Sequence, residues 1–148
     1  MKVLEMGNRL MNEKSEFYTL KGYRLQQSNS ITEAMEDYLE MIFRISGGKE
    51  KIRIKDLSDR LNVKPSSASK MVRRLSELKL VIFEKYGMIM LTESGYNLGK
   101  FFLWRHNVLV SFFKWLNGNQ YCLGQVEKIE HFIDLNTLSN MEKFLNFK

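Results

Sequence analysis

The sequence contains one cysteine, Cys122, so no internal disulfide framework can form, and this usage fits a reducing, cytoplasmic setting. It contains one proline, Pro65, which leaves the rest of the chain free of helix breakers of that kind. No apolar run is long enough for a membrane span, because Arg105, His106, Asn107 and Lys114 interrupt the most apolar stretch, residues 101–116. The first residues lack the apolar core and small-residue cleavage site of a signal peptide. Internal repeats and low-complexity tracts are also missing. Against these absences stands an apolar content of 44% over 148 residues, enough to build a core in one or two small, mostly helical domains.

What is present is organised around residues 64–91. Pro65 has no N–H to lose and a φ suited to the first helical position, so a helix is predicted to start there. A 3.6-residue period places Ala68, Met71, Val72, Leu75 and Leu78 on one face, with Ser66, Lys70, Arg73 and Glu77 opposite and Ser67, Ser69 and Arg74 beside them. Strand-like runs at 80–84 and 88–91 follow, joined by a turn at Lys85, Tyr86 and Gly87. Residues 54–61 precede as a short amphipathic helix, with Leu57 and Leu61 inward and Asn62 as its stop. Short helix, short turn, basic helix and hairpin are the parts of a winged helix-turn-helix, whose second helix enters the DNA major groove.

Charge points the same way. Residues 51–90 hold ten Lys/Arg against four Asp/Glu, a surplus equal to the +6 of the whole chain, while the remainder balances. The excess therefore sits where a phosphate backbone would need it.

Residues 1–29 alternate charges without a clean period and read as an N-terminal extension, with a more apolar segment at 17–23. Ser30 and Glu33 form a capping-box pattern for a first helix ending at Gly47 and Gly48. Its inward face is predicted to be Ile31, Ala34, Met35, Tyr38, Leu39, Ile42 and Ile45. Glu33, Glu36, Asp37 and Glu40 crowd the other face, with only Arg44 at i+4 to relieve Glu40; alone, such a face reads as solvated.

Thr92 caps a long helix to about Trp115, with His106 on its apolar side; taken alone, that histidine reads as packed core. After a loop at 117–124, residues 125–133 read as one helix with Glu127, Glu130 and His131 at i, i+3 and i+4 on one face. Residues 136–147 form a last amphipathic helix, with Leu138, Met141, Phe144 and Leu145 inward.

Two carboxylates and an imidazole on one turn are spaced to chelate a divalent metal, although the same pattern also arises as a plain polar face. If His106 and the Asp37/Glu40 pair face the same point, the site gains four carboxylates and two imidazoles. An oxygen-rich donor set without thiolate suits Mn2+ or Fe2+ better than structural zinc.

Met35-Glu-Asp-Tyr-Leu-Glu40, Pro65-Ser-Ser-Ala-Ser-Lys-Met-Val72, Phe83-Glu-Lys-Tyr86, Leu91-Thr92, Trp104-Arg-His106 and Val126-Glu-Lys-Ile-Glu-His131 together resemble the diphtheria-toxin-repressor family, most closely its manganese transport regulators. The resemblance covers about residues 31–136. It implies a winged helix-turn-helix over 30–92, a helical metal-binding and dimerisation domain over 93–148, and a site for two ions per subunit on Asp37, Glu40, His106, Glu127, Glu130 and His131. Iron-sensing relatives carry methionine at the position of Asp37 and cysteine at that of Glu127, so the harder oxygens here favour Mn2+ over Fe2+.

The resemblance further implies a homodimer on a palindromic operator, repressing metal-uptake genes when Mn2+ is plentiful. Ser66, Ser67, Ser69, Lys70 and Arg73 are then expected near bases or phosphates of double-stranded DNA, with Lys64, Arg74, Lys85 and Tyr86 mainly on the backbone. A metal-independent winged-helix regulator is the alternative. A di-metal enzyme is disfavoured because neither histidine has a glutamate three residues before it.

Overall fold

In the computed structural model, which describes residues 31–120 and 123–147, the chain begins with helix α1, Glu33–Ser46. Thr32 caps it by accepting a hydrogen bond from the N–H of Met35, and Gly47 ends it in the left-handed region at φ 58°. The predicted cap at Ser30 lies outside the described residues, and Glu33 is the first helical residue rather than the third of a capping box. Met35, Tyr38, Leu39 and Ile42 are buried as expected; Ala34 is exposed.

Strand β1, Ile52–Arg53, leads into α2, Ile54–Leu61, which stops at Asn62 in the left-handed conformation. Helix α3 runs Pro65–Glu77 with Pro65 at its first turn, and buries Ala68, Val72 and Leu75. Leu78, expected inward, follows the helix end and is exposed. The wing is β2, Val81–Phe83, and β3, Met88–Leu91, joined through Lys85–Gly87, where Tyr86 and Gly87 both take positive φ. The sheet order is β1-β3-β2, all antiparallel, with Ile52 opposite Ile89 and Val81 opposite Leu91. β1 was not foreseen: two residues are too short to show an alternation, and their pairing is set by β3.

Helix α4, Glu93–Leu116, is capped by Thr92, whose hydroxyl accepts from the N–H of Gly95 and also reaches the Lys79 and Leu80 carbonyls. The helix start lies so close to the residue before β2 that a Cβ on Gly95 would sit 1.8 Å from the Leu80 carbonyl oxygen, so only glycine fits. α4 packs along α1 and turns its far half to α5, Leu123–Ile129, and α6, Leu135–Asn146. Val108, Leu109, Val126 and Leu138 form the core of that half. Phe144, expected inward on α6, is 41% exposed. From Thr32 onward the described residues form one compact unit.

The segment after α5 departs from expectation. The α-helix ends at Ile129, and Glu130–Phe132 is a 3-10 turn. Glu127, Glu130 and His131 therefore do not share one face of a continuous helix: a 3-10 turn advances each residue by about 120° instead of about 100°.

Candidate metal centre

The altered turn sends the two consecutive residues Glu130 and His131 to different partners. Glu130 is 3% exposed, and its Oε2 lies 2.9 Å from Nδ1 of His106 on α4, itself buried. His131 reaches α1, with Nδ1 2.7 Å from Oε2 of Glu36 and Nε2 3.2 Å from Oδ1 of Asp37. One donor atom each from Asp37, Glu130 and His131 falls within 4.8 Å of the others.

A cavity of about 450 Å³ opens beside this cluster, lined by Asp37, Glu40, His106, Glu127 and Glu130 together with Arg44, Arg60 and Leu61. Five of the six residues named from the sequence thus face one space, and the sixth bonds to Asp37 at its edge. Glu127 reaches this space from an exposed position on α5, and Asp37 is half exposed; Glu40, Glu130 and His106 are buried. The donors are hard oxygens and imidazole nitrogens, their carboxylates converge from three elements, and no thiolate is among them. The residues fit a hard or borderline divalent cation such as Mn2+ or Fe2+.

Two of the acids on α1, Glu40 and Glu36, are not solvated. Glu40 is buried and paired with Arg44, whose Nε donates at 2.9 Å. Burial pushes its carboxyl above the usual range, assisted by nearby Glu130 and opposed by Arg44 and His106. Glu36 pairs with Arg105 at 2.8 Å. Burial would raise the Glu36 carboxyl, but His131 and Arg105 together hold it below its ordinary value. For His131, burial favours the neutral ring, yet the bonds to Asp37 and Glu36 outweigh it and hold the imidazolium up to about 9.

Glu36 and Arg105 were missed as site residues. A signal existed: Arg105 stands between Phe102 and Leu109 on the inward side of α4, where a charge needs a buried partner. Cys122 lies outside the described residues.

The basic surface is on α3 and the wing. Lys64, Ser66, Ser67, Lys70, Arg73, Arg74, Lys85 and Tyr86 are exposed, Ser69 partly so, and Tyr86 stands almost free at 99% exposure on the tip of the turn. Among the described residues no helix is long and apolar enough to cross a membrane.

The iron dependent repressor family, in its N-terminal DNA binding domain, matches residues 30–89. The HTH-type transcriptional regulator MntR of Listeria welshimeri is 36% identical over 117 residues, which is 78% of this chain and 82% of the relative. The chain belongs to the diphtheria-toxin-repressor family, with the manganese transport regulators. The regulator of the same name from Bacillus pumilus is 33% identical over 78% of this chain and 81% of its own length. Among solved structures, the manganese regulator SloR is 27% identical with a TM-score of 0.65, covering 80% of this chain and 56% of that one. A manganese-dependent transcriptional repressor in complex with manganese is 27% identical with a TM-score of 0.61, over 77% of this chain and 53% of that one. The chain spans a little over half the length of those two structures. Its family relatives are transcriptional regulators, not enzymes, and the chain is a DNA-binding regulator of that family.

Proposed function

We propose that this manganese-dependent transcriptional repressor senses metal through Asp37, Glu40, His106, Glu127, Glu130 and His131, which would hold two ions per subunit, with Fe2+ as the alternative ion. The observation that carries the reading is that five of these residues line one cavity and the sixth bonds to Asp37 at its edge. A divalent cation supplies, when bound, the positive charge that four neighbouring carboxylates lack. The chain's own cations meet part of that need, Arg44 on Glu40 and His131 on Asp37, while Arg105 serves Glu36, outside the four.

The ligands sit on both halves of the chain. Asp37 and Glu40 ride on α1, which packs against α2 and α3; His106 rides on α4, and Glu127, Glu130 and His131 belong to the α5 segment. Arg60 and Leu61, at the end of the first helix of the helix-turn-helix, line the same cavity. Residues 30–92 act as the DNA-binding half and 93–148 as the dimerisation and metal-binding half, with 1–29 as an extension. Repulsion among unneutralised carboxylates loosens the link between halves, and its relief fixes the recognition helices, so metal and DNA raise each other's affinity.

The active species is a homodimer on a palindromic operator of metal-uptake genes. Trp115 at the end of α4 and Phe144 on α6, part-exposed and packed edge to face with ring centres 4.8 Å apart, together with exposed Leu116 and with Phe147 just beyond α6, support a self-association face. Ser66, Ser67, Ser69, Lys70 and Arg73 contact bases or phosphates, and Lys64, Arg74, Lys85 and Tyr86 the backbone. A metal-independent regulator is not favoured, since the relatives are manganese regulators and it leaves the convergent carboxylates without a role.

The test is fluorescence anisotropy with a labelled duplex from a metal-transporter promoter, in chelator and then with rising Mn2+, repeated on Glu127→Ala and at two salt concentrations. Affinity rising with Mn2+, no rise in the variant and weaker binding in salt are expected. Tight binding in chelator that ignores Mn2+ would overturn the reading.

A further inference from the structure

We propose that Glu36, held in place by Arg105, is the positioning residue that presents His131 to metal through Nε2; the inference rests on the metal site proposed above. Oε2 of Glu36 lies 2.7 Å from Nδ1 of His131. A guanidinium nitrogen of Arg105 also comes within 3.3 Å of Nδ1, but both nitrogens lie closer to Oε2 of Glu36, at 2.8 and 2.7 Å, so the two are donors sharing one acceptor and Nδ1 carries a proton. The opposite nitrogen, Nε2, faces Asp37 at 3.2 Å, where Asp37 and Glu130 converge.

Arg105 makes this arrangement rigid. Its side chain is 5% exposed, it donates to the same Oε2 at 2.8 Å, and its guanidinium carbon stacks 4.8 Å from the Phe102 ring centre. A guanidinium so buried needs its carboxylate, and the carboxylate cannot leave without stranding it. The pairing therefore holds Glu36 against the ring. The same logic repeats along the chain: α1 supplies Glu36 as support and Asp37 as ligand, and α4 supplies Arg105 as support and His106 as ligand, in consecutive positions. A carboxylate on the far nitrogen of a ligating imidazole fixes its tautomer and raises its basicity, and losing it costs about 10- to 100-fold in metal affinity.

The experiment titrates Mn2+ alone into the full chain by calorimetry, for wild type, Glu36→Gln and the double variant Glu36→Gln/Arg105→Gln. The double variant removes the stranded charge, so it reports on the site even if the single variant fails to fold. In parallel, 15N spectra of the histidine rings are recorded on Cd2+-loaded protein, a readout that a merely structural ion pair would leave unchanged. Expected are a protonated Nδ1 and a metal-bound Nε2 for His131 in wild type, and a mixed or reversed pattern with about 10-fold or weaker Mn2+ binding in the folded variants. Unchanged affinity and an unchanged His131 pattern would overturn this inference while leaving the site intact. Failure of the wild type to bind Mn2+ would overturn the site itself.

Discussion

His106 and Glu130, 24 residues apart in sequence, meet with Nδ1 and Oε2 2.9 Å apart and both side chains buried. Neither is packed core and neither is a surface charge; each is the other's polar partner on the wall of a carboxylate-lined cavity. Removing one member strands the other, so Glu130→Ala should lower the unfolding free energy of the metal-free protein by about 1–3 kcal/mol. Glu127→Ala, at an exposed position, should stay within about 0.5 kcal/mol of wild type. Both should abolish the Mn2+-driven rise in DNA affinity. Urea titrations beside anisotropy separate the two effects.

The pH dependence of the metal-free protein should carry the signature of His131. Its folded value near 9 lies above the ordinary 6.5, so the imidazolium's contribution to stability is fully present below pH 6.5 and is lost as pH rises through 9. Urea midpoints in chelator at pH 6, 7.5 and 9.5 should fall in that order. His131→Gln should flatten the fall.

Arg73→Ala removes an exposed cation from α3 without touching the carboxylate cavity. Operator affinity should drop, and the slope of its logarithm against the logarithm of salt should shrink by about 1 if the contact is to a phosphate. Mn2+ binding measured by calorimetry should be unchanged.

Gly95→Ala would drive a methyl into the Leu80 carbonyl, a backbone atom that cannot swing aside. The expected loss is about 1–3 kcal/mol or more, seen as a lower thermal midpoint. Metal-dependent DNA binding should persist below that midpoint.

Phe147→Glu places a charge on a side chain that is 87% exposed, directly after α6, three residues beyond Phe144. If this face joins two copies, sedimentation equilibrium should show dimerisation weakened by about tenfold or more. The monomer's thermal stability should hardly change, because little is buried there within the chain.

The helices of the winged helix-turn-helix and the long helix after it were legible because their signals are local. Pro65 opens α3 and Asn62 closes α2 at the expected positions, and Thr92 caps α4. The same holds for the wing turn at Lys85, Tyr86 and Gly87. Ala34 and Phe144 were misread inward because a helical period gives a face, not the edge at which its neighbour ends.

The sequence by itself determined the residue types of the carboxylate and imidazole cluster, the placement of the surplus positive charge and the order of helices and wing. Those follow from spacing, capping and side-chain chemistry within a few residues. Tertiary structure alone decided that α5 stops at Ile129, that Glu130 turns to His106 while His131 turns to Glu36 and Asp37, and that Arg105 lies buried against Glu36. The physical reason is burial: a charge withdrawn from water takes whichever counter-charge the fold brings within reach, and that partner is 24 residues away for Glu130 and 95 for His131.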